Sequence, residues 1–183
     1  MCICQLNNKT QIDVSVAEED LIFYKVVKVK EGKFVTPFQS KEVELNHRYD
    51  IEWPTNFFLS DTYTVKTSKN PLAPWNEPGA VDEYFTELGV SVVPVVNRGA
   101  FHLFKTRDAA ESFISYSAKH FFRYNVSPES KFIVIKAIVP KGVEYIDGYF
   151  PVVVNTEGEE TAIMYSSIAA KSVVYQEAEE EYL

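Results

Sequence analysis

Apolar and polar residues alternate along most of this chain, and a two-residue period means extended strands. Leu21-Ile-Phe-Tyr-Lys-Val-Val-Lys-Val is a strand rich in β-branched and aromatic residues. Glu31-Gly32 turns, and Phe34-Val-Thr-Pro-Phe returns as the second arm of a hairpin, with Pro37 marking an edge or an end. Residues 41–65 alternate more weakly, through Val43, Leu45, Tyr49, Ile51, Trp53, Tyr63 and Val65. Pro54 and Asp61 divide them into short strands. Residues 90–96 form a strand broken by Pro94, and Phe101-His-Leu-Phe104 is another. Residues 132–139 are almost continuously apolar, which predicts a central strand covered on both faces. Short strands at 143–146, 152–154, 163–165 and 172–175 complete the sheet.

The period lengthens in two places. Val81, Tyr84, Phe85 and Leu88 fall on one face of a short helix that Gly89 caps. Thr106 is the N-cap of a second helix, with Asp108 in its first turn. Ala109, Ala110, Phe113, Ser117 and Phe121 line the face of that helix, and Lys119 and His120 suit its C-terminal end. The expectation is an α+β protein: one compact domain, mostly antiparallel sheet, two helices packed on one face. Residues 1–20 read as an N-terminal arm with one short strand at 12–16, and 177–183 as an acidic tail. Residues 67–80 carry three prolines and Trp75, and so read as a long loop.

Composition narrows the function classes. The chain has 183 residues, 46% of them hydrophobic and 14% aromatic, enough for a buried core and unlike a disordered chain. A net charge of −8 repels nucleic acid, so no nucleic-acid partner is expected. No run approaches the roughly 18 apolar residues of a membrane span. No basic-then-apolar leader precedes the first strand, so the expected compartment is the cytosol, with Cys2 and Cys4 as free thiols.

Few residues carry obvious chemistry. Loss of Met1 would make Cys2 an N-terminal thiol beside its own amine. Cys2 and Cys4 supply only two of the four ligands of a structural zinc, so no metal is expected. His102 sits in an apolar strand and points opposite to Phe101 and Leu103. It is either a half-buried histidine or a base facing a cleft. His47 and His120 have blander settings. Glu157, Glu159 and Glu160 cluster in a turn, where a carboxylate in a cleft could act as a base. No Gly-rich phosphate loop, Gly-x-Ser-x-Gly or His-Glu-x-x-His occurs.

Three pieces occur in order: Ile22-Phe-Tyr-Lys-Val-Val with Phe34-Val-Thr-Pro-Phe; Gly99-Ala-Phe-His-Leu-Phe-Lys-Thr-Arg-Asp-Ala-Ala; and Ile135-Lys-Ala-Ile-Val-Pro-Lys-Gly142 with Tyr165-Ser-Ser. This resembles a group of small uncharacterised phage and bacterial proteins carrying a Gly-Tyr/Phe-His-x-Phe element. The likeness covers about half the chain; it departs at Leu103, where the group carries a small residue, and over residues 55–90. It implies a phage accessory protein and carries no function of its own. The first reading of the chain is a non-enzymatic protein of that kind, which binds a small nucleotide-like ligand or a host protein to counter host defence. A weaker likeness is to ADP-ribosyltransferases. It would place Tyr24 or Lys25, His102, Val139-Pro-Lys-Gly142 and Glu159 or Glu160 in that family's order. It implies NAD as the cofactor of an enzyme, with His102 and Glu160 as its catalytic residues. A structural or virion protein is the third class. No cofactor is expected unless the transferase reading holds. In the binding reading Tyr24, Trp75, Arg98 and His102 converge on one pocket, with Glu159 or Glu160 at its rim. The chain is expected to act in the host cytosol, and self-association is left open.

Overall fold

The computed structural model describes residues 3–6, 14–37, 41–51, 58–59, 63–65, 90–96, 100–117, 131–156 and 159–176. Thirteen strands run through them: β1 (Ile3–Leu6), β2 (Val14–Val16), β3 (Leu21–Lys30), β4 (Lys33–Val35), β5 (Arg48–Asp50), β6 (Phe58–Leu59), β7 (Tyr63–Val65), β8 (Val90–Val96), β9 (Phe101–Phe104), β10 (Lys131–Val139), β11 (Glu144–Thr156), β12 (Glu159–Ala170) and β13 (Ser172–Gln176). All pairings are antiparallel. The order is β5-β13-β10-β3-β9-β12-β11-β1-β8-β6, with β2 added to β11, β4 to β3 and β7 to β8.

This corrects the α+β expectation. The described residues are dominated by antiparallel sheet and hold one short helix, α1 (Arg107–Ser112), running into a π-helical turn at Phe113–Ser117. The helix expected at 81–88 lies outside the described residues. The excess of strand comes from β11 and β12, thirteen and twelve residues long, where the sequence suggested fragments. Pro151 pairs with Met164 inside β11, and Pro94 pairs with Cys4 inside β8. Proline is tolerated in a strand wherever the ladder needs no N–H from it, so neither ends its strand. No helix among the described residues is long and apolar enough to cross a membrane.

The sheet returns on itself. One residue, Lys171, separates β12 from β13, and the chain changes partners there. Residues 167–170 pair with β9, and 174–176 pair with β10. β3 lies between β10 and β9, so β13, β10, β3, β9 and β12 form a ring closed through the chain. Its inner face holds Val27, Leu103, Ile133, Ile135, Ala137, Val139, Ile168, Ala170, Val173 and Tyr175, all buried. The alternation along β10 is strict: 133, 135, 137 and 139 point inward, and the residues between them are half-buried. β10 is therefore an interior strand, sealed on its inner face and only half covered on the other.

Helix α1 covers part of the outer face. Thr106 is its N-cap, accepting from Ala109 N at 3.1 Å, with Asp108 in the first turn. Beneath it Val26, Phe104, Ala109, Ala110, Phe113, Phe150 and Tyr165 make a second core. Its rings meet mostly at steep angles: Phe113 lies 5.6 Å from Tyr165 and Phe104 6.0 Å from Tyr165, both edge-on. Edge-on pairs of this kind add stability beyond the area they bury.

A candidate functional site at the β3–β9 seam

β3 and β9 meet at a single register pair, Tyr24 opposite Phe104. Further along the same edge of β3, residues 28–30 pair with β4 instead. The stretch between is bridged by a side chain: Lys25 Nζ donates to the carbonyl of His102 at 2.9 Å. Alternation explains the placement. Leu21, Phe23, Val27 and Val29 pack on the inner core, and Lys25 occupies the remaining odd position in that stripe. Its register partner, Ile135, is buried. Lys25 as a residue is half-buried, and the dense apolar protein around its amine pushes its pKa down to about 8.

Tyr24 and His102 lie on the other face of the seam. Tyr24 packs against the aromatic core under α1, and both residues are half-buried. The structure thus brings Tyr24, Lys25 and His102 together on adjoining strands. Glu159 and Glu160 are placed elsewhere. His102 is opposite Ala169 in β12, and Glu160 is nine residues from Ala169 along that strand. That is about 30 Å of extended chain. Glu160 pairs with Asn155 and Glu159 with Thr156, at the far end of the β11–β12 hairpin. Trp75 and Arg98 lie outside the described residues, as do Cys2 and His120. His47 is exposed, stacked edge-on against Tyr49 at 4.8 Å.

Two features escaped the sequence reading. Lys25 entered it only through a family likeness, yet its signal was local: a lysine at an odd position where every other odd position from 21 to 29 is apolar. The second is a row across the outer face of four strands. Ile22 pairs with Ile138, Ile138 with Val174 and Val174 with Arg48. The next row, Tyr24–Lys136–Gln176, leads toward the residues that α1 covers. Ile22 is 58% exposed, the most open large apolar side chain among the described residues.

Among the described residues no three His, Cys, Asp or Glu side chains gather where they could hold a metal ion. No family model, curated protein or solved structure matches the chain.

Proposed function

We propose that this chain is a binding protein: a phage-type accessory protein that takes a host protein on the outer face of its sheet. In this reading its role is to counter host defence. The observation that supports this reading is the Ile22–Ile138–Val174 row. An isolated exposed apolar residue needs no explanation, but exposed Ile22 continues in register through half-buried Ile138 and Val174, and the three make a strip across adjacent strands. Arg48 and Asp50 stand at the β5 end of the strip and Lys136 beside it, the polar rim that transient interfaces carry. A photo-crosslinking amino acid at position 22, expressed in host cells, tests it. The reading expects a discrete protein adduct that is lost when Val174→Asp is added. Labelling no different from a crosslinker placed at exposed Glu18 would sink it.

The ADP-ribosyltransferase reading keeps one supporting observation, the meeting of Tyr24, Lys25 and His102 at the seam. The distance of Glu160 from that seam weighs against it. Under that reading the purified protein consumes NAD, and Glu160→Gln lowers turnover more than binding.

A further inference from the structure

β5 ends the strand order on its side, and among the described residues no strand pairs with its far edge. The backbone shows which residues face that edge. Ile51 N donates to Lys171 O at 3.1 Å, directly beyond the register pairs Asp50–Ser172, Tyr49–Val173 and Arg48–Val174. Bonded and non-bonded pairs alternate along an antiparallel ladder. Tyr49 therefore bonds β13, while the N–H and C=O groups of Arg48 and Asp50 point away from it. The two side chains share one face and are open, 55% and 60% exposed, with Arg48 Nε donating to Asp50 Oδ1 at 3.1 Å. Like charges at these two positions would blunt the edge against a second copy. Opposite charges two residues apart are self-complementary instead. A two-fold axis at Tyr49 sets Arg48 of each copy opposite Asp50 of the other. Both pairs are then of the bonded kind, exchanging both backbone hydrogen bonds, and each sets a guanidinium against a carboxylate. The neighbouring registers set position 48 opposite 48 or 50 opposite 50, like charge on like.

We propose that two copies of this chain join edge to edge through β5, antiparallel and centred on Tyr49, to make one continuous sheet. The contact is isologous, so it closes as a dimer. It is also small, and a net charge of −8 on each copy opposes it, so the dimer is weak and forms at high protein concentration. The axis stands perpendicular to the sheet. The outer faces of both copies therefore look the same way, and the two Ile22–Ile138–Val174 strips share one side of the dimer. The inference uses the edge of the sheet and does not rest on the host-protein reading of its face.

Sedimentation velocity of the intact protein, from about 5 μM to about 1 mM, tests the proposal. The parent is expected to pass from monomer to dimer across the series. Arg48→Asp and Asp50→Arg each set like charges opposite one another, and each should raise the dimer Kd by at least about tenfold. The double variant Arg48→Asp/Asp50→Arg is self-complementary again and should dimerise like the parent. An equimolar mixture of the two single variants should form the dimer that neither forms alone. A parent that stays monomeric throughout would overturn the proposal. So would a dimer that survives both single substitutions, or single variants that do not associate when mixed.

Discussion

The two faces of β3 and β10 are built differently. The inner face is mostly aliphatic, with Val27, Ile133, Ile135, Ala137 and Val139 closed in by the ring of strands. The outer face is aromatic where α1 covers it and open beyond, from Lys136 to Ile22. β-branched side chains fill a pleated, two-sided space with little rotamer loss, so a closed inner face suits them. A single helix of six residues covers only a patch, and large rings make the most of it. The inner face therefore carries stability, while the uncovered outer face is available for contact.

The strongest break of that contrast is Ile135→Asp. A carboxylate without a partner in the inner core costs several kcal/mol, comparable with the whole stability of a small domain. The variant should lack a cooperative melting transition by circular dichroism. Phe113→Ala strikes the aromatic core instead. It should cost about 3–5 kcal/mol in a denaturant titration and leave the ring of strands folded.

Lys25 sharpens the contrast through pH. Its folded pKa, about 8, lies below the ordinary 10.5, so the unfolded chain binds the proton more tightly. The cost of burying the charge is fully present below pH 8, and stability rises as pH climbs from about 8 to about 10.5. At 1.36 kcal/mol per pH unit, discounted for partial exposure, the gain is on the order of 2 kcal/mol. Tyr175 works the other way: burial, with nearby Tyr49 adding, raises its pKa, so stability falls once the unfolded tyrosine ionises above about pH 10. Denaturation midpoints from pH 7.5 to 11 should peak near pH 10. Lys25→Met should flatten the rising limb, and Tyr175→Phe should weaken the fall. The smallest effect is at the β3–β4 turn, where both Glu31 (φ 51°) and Gly32 (φ 76°) have left-handed backbone. Glu31→Asn suits that turn better and should raise stability by about 0.5–1 kcal/mol.

The strands were readable wherever one face is buried. β3, β9 and β10 announce themselves by alternation or by an unbroken apolar run, and Thr106 by its capping chemistry. β11 and β12 were read only as fragments, 143–146 and 152–154 in one and 163–165 in the other, while the ladder between them fixes both long strands in register. β1 gave no signal: Ile3–Leu6 is four residues long, and its place between β11 and β8 depends on partners far along the chain. The site was legible only in part. Tyr24 and His102 meet because β3 and β9 are neighbours, which the order of segments does not reveal. Glu160 was grouped with them on a family's order of residues, and the hairpin register carries it away.

The account rests on the open part of the outer face being dispensable for folding. Equilibrium denaturation of Ile22→Asp tests this most directly. The account predicts a free energy within about 0.5 kcal/mol of the parent protein, as for a surface substitution. A loss of several kcal/mol would mean that Ile22 belongs to a core, and the division between the two faces would fail.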